Sequence, residues 1–265
     1  MNKLYPLHIL VTRPSPAGEE LCKLIQTKGD KATHFPTIAF APPKNLGALQ
    51  QAVASLGGQD WLIFISPQAV SASIPAIRRA WPHFPPSVQL AAVGSGTAKA
   101  LKEAGYLVAA HPELNWSSEG LLDLPEFQTI AGKKIAIVRG EGGRELLEKT
   151  LLSRGALVSH VIAYQRVLPE IETCPYVDLF KHRQIDVVVC TSYEGVRHFK
   201  ILLGTNAWLD IKDIPLIVMS ERIKTLAHDL GFQTIWVARH ASHDAILELL
   251  AQKRNELCQI KQMKS

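Results

Sequence analysis

The chain has 265 residues, of which 47% are hydrophobic and 20% are charged, and its formal net charge is +5 from 29 basic and 24 acidic residues. This excess is too small for a dedicated nucleic-acid-binding protein, and no basic run with interleaved aromatic residues is present. The charge indicates either a weak preference for an anionic small molecule or solubility alone. No apolar run approaches the roughly 20 residues that a membrane-spanning helix needs.

Targeting and redox features agree with this interpretation. The N-terminus lacks the apolar core and small-residue cleavage site of a signal peptide. The four cysteines are widely spaced and form no CxxC pair, as expected of free thiols in a reducing compartment. We therefore expect a cytoplasmic protein that binds neither membrane nor nucleic acid.

Strands and helices are predicted to alternate along the chain. An apolar run at 7–12 predicts the first strand, and apolar residues at helical spacing over 17–28 predict a helix that ends at Gly29. Further strands, each followed by a helix, are predicted at 61–65, 90–93, 134–138, 186–190, 216–219 and 234–238, with a helix at 144–154. Strands that are apolar on both faces indicate parallel sheets covered by helices.

The chain also repeats itself at one fixed spacing. Arg13 and Arg139 each end an apolar run, and 139 − 13 = 126. Four further pairs share this spacing: Gly29 with Gly155, Ser66 with Ser192, Gly94 with Ser220, and Gly105 with Gly231. Five landmarks at one spacing indicate two copies of one α/β unit. Two similar lobes would enclose a cleft, where we expect the functional site.

Two segments interrupt the alternation, at 34–40 and 161–169. They occupy equivalent places in the two copies, and we predict that both are extended connectors. The repeat leaves two partitions open: tandem lobes divided near residue 126, or lobes that have exchanged their first strand and helix. Residues 254–265 are predicted to form a flexible tail.

Small polar residues and arginines follow several predicted strands. In open parallel sheets, ligands bind at the carboxyl ends of the strands and at the N-termini of the following helices, where free backbone N–H groups favour anions. Taken singly, a serine or threonine before a helix is first of all an N-cap. Their recurrence in both copies favours a shared anionic ligand. The residues concerned are Arg13, Ser66, Thr97, Arg139, Ser192, Ser220 and Arg222.

Other chemistries lack their motifs. Gly94-Ser95-Gly96 begins a dinucleotide fingerprint, but Lys99 stands where the third glycine belongs. His240 and His243 have no accompanying HExxH or Cys/His cluster, so no metal site is expected. No GxSxG elbow supports nucleophilic catalysis.

An ordered set of short motifs over nearly the whole chain resembles the uroporphyrinogen-III synthase family. The motifs are Leu10-Val11-Thr12-Arg13-Pro14, Phe35-Pro36-Thr37-Ile38, Ser66-Pro67-Gln68-Ala69-Val70, Ala92-Val93-Gly94-Ser95-Gly96-Thr97-Ala98, Ser118-Glu119-Gly120-Leu121-Leu122, Val138-Arg139-Gly140 with Gly143-Arg144, Val161-Ile162-Ala163-Tyr164-Gln165-Arg166, Thr191-Ser192-Tyr193-Glu194-Gly195-Val196 and Val218-Met219-Ser220-Glu221-Arg222. Two positions depart from the family pattern: Ile65 stands where threonine is frequent, and Arg222 where some members carry threonine.

The resemblance implies a fold and favours the exchanged partition. It implies an α/β protein of two similar domains, each a parallel sheet flanked by helices, joined by a two-stranded β connector. The first domain would comprise 1–35 and 170–253, and the second 39–162, with the segments at 34–40 and 161–169 as connectors. Nothing in the sequence indicates a self-association surface, so we expect a monomer.

The resemblance also implies an activity without cofactor. The family cyclises hydroxymethylbilane, a linear tetrapyrrole with acetate and propionate arms, to uroporphyrinogen III, with inversion of ring D and loss of water. Loss of the hydroxyl would give a reactive azafulvene that is attacked through a spiro intermediate. Because the substrate also cyclises without inversion by itself, the enzyme must chiefly hold one folded geometry.

Site roles follow from the same resemblance. Tyr164 matches a characteristic tyrosine of the family and is the candidate proton donor; its alternative role is a connector aromatic packed between domains. Substrate carboxylates would be held by small polar residues of the cleft, which match Ser66, Thr97, Ser192 and Ser220. Arg13, Arg139 and Arg222 would pair with the same arms, although Arg139 would alternatively brace the fold. The competing function is a two-lobed, non-catalytic receptor for an anionic small molecule.

Overall fold

The computed structural model describes residues 6–142, 145–240 and 242–264. The chain divides into two compact units, Met1–Ala39 with Val167–Ser265 and Phe40–Arg166. Within the described residues, the strands are β1 (His8–Val11), β2 (Lys31–His34), β3 (Ala39–Ala41), β4 (Trp61–Phe64), β5 (Gln89–Ala92), β6 (Lys134–Gly140), β7 (Leu157–Val167), β8 (Val187–Val189), β9 (Leu216–Val218) and β10 (Ile235–Val237).

Helices follow the strands in nearly every case. The α-helices are α1 (Ala17–Thr27), α2 (Leu46–Ala54), α3 (Pro67–Ala80), α4 (Ser95–Glu103), α5 (Ser118–Leu122), α6 (Leu146–Ser153), α7 (Cys174–Lys181), α8 (Tyr193–Ile211), α9 (Glu221–Asp229) and α10 (His243–Lys264). Short 3-10 helices lie at Leu56–Gly58 and Pro125–Phe127. None of the helices in the described ranges has both the length and the apolar character required to cross a membrane.

Each unit contains one five-stranded sheet. The order in the first unit is β10-β9-β8-β1-β2, and every pairing is parallel. The order in the second unit is β3-β7-β6-β4-β5, with parallel pairing from β7 to β5. The predicted α/β class with two helix-flanked parallel sheets is therefore confirmed.

The two sheets repeat each other's register at the spacing found in the sequence. Partners in the first sheet recur 126 residues away in the second: Ile9↔Ala32 as Ile135↔Val158, Val188↔Leu216 as Leu62↔Leu90, and Ile217↔Trp236 as the isolated bridge Ala91↔Ala110. In both units, the β-α-β segment of one copy pairs with the remaining strands of the other copy. The observed strand pairing is thus that of exchanged copies.

The core of each unit lies on both faces of its sheet. Val187, Val188 and Val189 are all 0% exposed, and successive valines belong to apolar clusters on opposite faces. In the second unit, Leu62 and Ile63 likewise point to different clusters. Side chains alternate across a strand, so a strand covered on both faces must be apolar throughout.

One strand was not predicted, and another is longer than predicted. β2 occupies Lys31–His34, a stretch for which no strand was predicted, because this edge strand carries polar, partly exposed residues rather than an apolar run. β7 begins at Leu157, whereas the sequence predicts only an extended connector at 161–169. Residues 143 and 144, in the predicted Gly143-Arg144 motif, lie outside the described residues.

The predicted flexible tail is wrong for residues 254–264, which continue α10. Leu257 is 1% exposed in the apolar cluster of this unit. Arg254 pairs with Asp30, and Lys261 Nζ lies 2.7 Å from Asp186 Oδ2. Contacts with residues far away in sequence therefore hold this helix against the sheet.

Candidate active site

Three predicted serines cap helices at the carboxyl ends of strands. Ser66, Ser192 and Ser220 have extended backbones and are the N-caps of α3, α8 and α9. Each side-chain oxygen accepts a hydrogen bond from the backbone N–H three residues later, at N···O distances of 3.1, 3.0 and 3.4 Å. The capping role is thus present in the structure, and any contact with a ligand would come in addition to it.

Ser66 has a second partner, the hydroxyl of Tyr164. The two oxygens are 3.3 Å apart, although the residues are 98 positions apart in sequence. Tyr164 lies in β7, is 2% exposed, and belongs to the apolar core of its unit. Its ring meets the ring of Phe40 edge-on, with centroids 5.3 Å apart. The Tyr164 ring is therefore packed in the core, while Ser66, which bonds to its hydroxyl, is partly exposed at the strand end.

A glycine makes room for the Tyr164 ring. The pairing of β6 with β7 shifts by one residue between Arg139 and Gly140, so that Gly140 lies opposite Tyr164. A Cβ atom on Gly140 would lie only 2.6 Å from the Tyr164 ring. The Glu141 N–H also donates to the Tyr164 carbonyl at 2.8 Å. Sequence analysis gave Gly140 no role of its own, because its contact with Tyr164 arises from the register shift, which the sequence does not show.

The hydroxyl pair can pass a proton. Ser66 Oγ already accepts from the Ala69 N–H, so its own hydrogen is available to Tyr164 Oη or to a group at the strand end. Tyr164 can in turn donate to Ser66. The arrangement favours Ser66 as the hydroxyl nearest to a ligand and Tyr164 as the residue that orients it.

Arg139 turns toward its own strand-end loop. It is 8% exposed, and its Nη2 donates to the carbonyl of Gly142, which has a φ of +67°. This contact supports the bracing role that the sequence left open. Within the described residues, its Nε is buried and has no hydrogen-bond partner.

Thr97 was expected to face a ligand, but its side chain is buried. It is 4% exposed in the first turn of α4, where its backbone N–H bonds to the Gly94 carbonyl. The N-cap of α4 is Gly94, which offers no side chain to the helix. At this strand end, a ligand would meet backbone groups rather than the Thr97 hydroxyl.

The strand ends of the first unit carry the cations. Arg13 follows β1 and is partly buried. Burial lowers the pKa of its guanidinium below the ordinary value, and the opposing effect of nearby Glu20 is smaller. Arg222 is exposed at the start of α9, and its guanidinium lies 5.0 Å from the ring centre of Tyr193 at the start of α8. A partly desolvated cation attracts a carboxylate more strongly than a fully hydrated one does.

The buried thiols predict a pattern of chemical modification. Burial raises the pKa of Cys190 to about 11, and burial followed by the charge of Glu19 raises the pKa of Cys22 to about 11. At pH 8, only about one thiol in a thousand would be ionised at these two sites. A disulfide reagent at pH 8 is expected to modify exposed Cys174 and to spare Cys22 and Cys190, as read by peptide mass spectrometry. Labelling of Cys190 as fast as Cys174 would contradict this assignment.

Comparison with known proteins decides the family. A family model described as uroporphyrinogen-III synthase HemD matches residues 19–248. The chain belongs to this family. It is 40% identical over 250 residues to uroporphyrinogen-III synthase of Escherichia coli strain K12, with 92% of this chain and 100% of that protein covered. The corresponding protein of Salmonella typhimurium is 37% identical over 247 residues, with the same shares covered.

Solved structures of uroporphyrinogen-III synthases share the fold. A mutant enzyme from the extremely thermophilic bacterium Thermus thermophilus aligns with a TM-score of 0.59 and 16% identity, covering 94% of this chain and 99% of that one. The enzyme from Helicobacter pylori 26695 gives a TM-score of 0.58 and 15% identity, covering 93% and 99%. At these identities the likeness concerns the fold alone.

Proposed function

We propose that this chain is a lyase that cyclises hydroxymethylbilane to uroporphyrinogen III, with inversion of ring D and loss of water. The observation that carries the proposal is the match over the full length of a uroporphyrinogen-III synthase at 40% identity. The reaction requires no nucleophile on the protein, which agrees with strand ends bearing hydroxyls, amides and guanidinium groups.

The first chemical step is departure of the substrate hydroxyl. The carbon–oxygen bond breaks, its bonding electrons leave with oxygen, and a proton from the protein turns the leaving group into water. The pyrrole nitrogen supplies the electrons that form the azafulvene and gives up its N–H proton, which replaces the proton taken from the protein. A hydroxyl that donates to the leaving oxygen lowers the barrier of this step.

The Ser66–Tyr164 pair is the proposed donor. Ser66 would pass its proton to the leaving oxygen while Tyr164, whose oxygen lies 3.3 Å away, donates to Ser66; the proton released by the pyrrole N–H would then restore the pair. Tyr164 is buried and acts through Ser66 in this scheme, so it is a positioning residue rather than one that touches the substrate. This refines the direct donation expected from the sequence.

The carboxylate arms need fixed partners, because holding one folded geometry separates inversion from simple closure. Arg13 and Arg222 are proposed to bind arms in the first unit, together with N–H groups of the helices that Ser192 and Ser220 cap. In the second unit, the α4 N-terminus offers backbone N–H groups, whereas Arg139, which is 8% exposed and bonded to the Gly142 carbonyl, would contribute its charge. The Ser192 and Ser220 hydroxyls accept as caps and keep their own hydrogens, so they would donate to the same arms.

Turnover separates the enzyme from the receptor alternative. Purified protein is mixed with freshly prepared hydroxymethylbilane, and its consumption is compared with that in buffer and with heat-denatured protein. We expect consumption well above the spontaneous rate, rising in proportion to protein concentration. Stoichiometric binding that leaves consumption at the spontaneous rate would favour the receptor.

A further inference from the structure

An aromatic residue stands exposed where the second sheet ends. Ala110 bridges in parallel to Ala91, so residues 111–117 leave the sheet at the carboxyl end of its strands. In this segment Leu114 is 96% and Trp116 is 59% exposed. Single exposed apolar residues are common on proteins and carry no meaning by themselves. The surroundings of Trp116 distinguish it.

The Trp116 side chain is held in one orientation. Its Nε1–H donates to the Glu113 carbonyl at 2.9 Å. The neighbouring turn is closed by Ser117, whose N–H and hydroxyl both donate to Asn115 at 2.8 Å. The indole is thereby fixed by local hydrogen bonds while much of its surface remains in solvent. A ligand that stacks on it would not have to order it first.

Trp116 lies next to the strand ends that hold the candidate site. A Cβ atom on Gly94, the N-cap of α4, would lie 3.3 Å from Trp116 Cβ. A Cβ atom on Gly96 would lie 3.7 Å from Pro67, the residue after Ser66. Helices α3 and α4 therefore start side by side, and Trp116 lies over the start of α4.

The internal repeat shows that this loop does not need an aromatic residue to fold. At a spacing of 126 residues, Leu114 corresponds to exposed His240 and Trp116 to partly exposed Ser242 in the other unit. Both copies follow strands in equivalent register. The fold of the loop therefore does not by itself account for an exposed indole at position 116.

We propose that Trp116 is a substrate-contacting residue whose indole stacks on a pyrrole ring of the linear tetrapyrrole. This inference rests on the proposed function, because that function supplies a ligand with four flat rings. Arginines and helix N-termini satisfy the carboxylate arms, but the ring faces need an apolar, flat partner. An aromatic pair of this kind changes affinity by about two- to tenfold.

The test compares Trp116→Ser, Trp116→Phe and the control Leu107→Ser, whose parent side chain is 92% exposed. In Trp116→Ser, we expect KM for hydroxymethylbilane to rise about two- to tenfold, while kcat and the thermal midpoint stay at wild-type values. Trp116→Phe is expected to restore most of the KM, and Leu107→Ser to leave it unchanged. The proposal would be overturned if KM is unchanged in Trp116→Ser or if KM rises equally in Leu107→Ser. It would also be overturned if KM rises in Trp116→Ser together with a lowered thermal midpoint and Trp116→Phe restores neither value.

A second measurement does not depend on turnover. The dissociation constant of uroporphyrin III, an aromatic tetrapyrrole with the same kinds of carboxylate arms, is measured for wild type and Trp116→Ser by fluorescence titration. Absence of turnover in the wild type would refute the proposed function alone. Weaker porphyrin binding by Trp116→Ser than by the wild type would support stacking whether or not turnover is seen. Equal dissociation constants, or no porphyrin binding by the wild type, would refute stacking.

Discussion

Replacing Gly140 by alanine is expected to lower both turnover and stability. The new Cβ would lie 2.6 Å from the Tyr164 ring, which is buried and packed against Phe40. Either the ring or strand β6 must shift, and overpacking of this kind costs about 1–3 kcal/mol. Displacement of the Tyr164 hydroxyl from Ser66 should reduce kcat by about 10²-fold, the effect of a misplacement near 1 Å. Urea unfolding and initial rates measure the two effects.

The control for this substitution is Gly58→Ala. A Cβ at Gly58 would meet no atom within 4 Å, and the residue is exposed. It should change kcat little. The double variant Gly140→Ala with Tyr164→Leu isolates the contact, because the added methyl group should cost much less once the ring is gone. Full additivity of the unfolding free energies would contradict the steric explanation.

Tyr164→Phe is expected to slow turnover without loss of the fold. The phenyl ring still fills the space beside Gly140, while the partner of Ser66 is removed. Because Tyr164 acts through Ser66, we expect kcat to fall by up to about 10²-fold, the lower end of the effect of losing general acid catalysis altogether, with KM nearly unchanged. The loss of one hydrogen bond should cost about 0.5–1.5 kcal/mol of stability. Stopped-flow rates and urea unfolding provide both values.

Two other tyrosines serve as references for this prediction. Tyr106→Phe preserves an edge-on contact with Phe84 at 5.6 Å and should leave kcat unchanged. Tyr193→Phe removes a hydroxyl at the start of α8 in the other unit. If Tyr193→Phe lowers kcat and Tyr164→Phe does not, the proton donor lies in the first unit and the assignment of Ser66–Tyr164 is wrong.

Much of the fold could be predicted because its strands are buried on both faces. The run Val187–Val189 is apolar without alternation, and only a covered parallel strand needs that pattern. The repeat at 126 residues predicted a common unit, and the paired registers of the two sheets bear this out. The repeat by itself left open which copies pair, since periodicity contains no information on contacts between distant segments.

The two failed predictions have different physical causes. β2 is an edge strand, so Lys31 and Thr33 can remain polar and the strand signal is weak. The end of α10 is rich in charged residues, and it is held by buried Leu257 and by ion pairs such as Arg254 with Asp30, more than 200 positions away. Such contacts depend on the folded arrangement and leave no local pattern.

The candidate site shows the same limit. Family resemblance named Ser66 and Tyr164 separately, but the 3.3 Å contact between their hydroxyls depends on the sheet order, in which only β6 separates β4 from β7. Sequence reasoning likewise could not foresee that Thr97 is buried or that Arg139 bonds to Gly142. The sequence could name candidate polar residues, whose roles stay predictions, whereas their orientations required the packed structure.

The isomer composition of the product tests the central claim most directly. Hydroxymethylbilane is incubated with the purified chain, the product is oxidised, and the uroporphyrin isomers are separated by chromatography. We expect the type III isomer to predominate, because the protein must hold ring D in the inverted geometry before closure. Type I isomer alone, formed at the spontaneous rate, would contradict it.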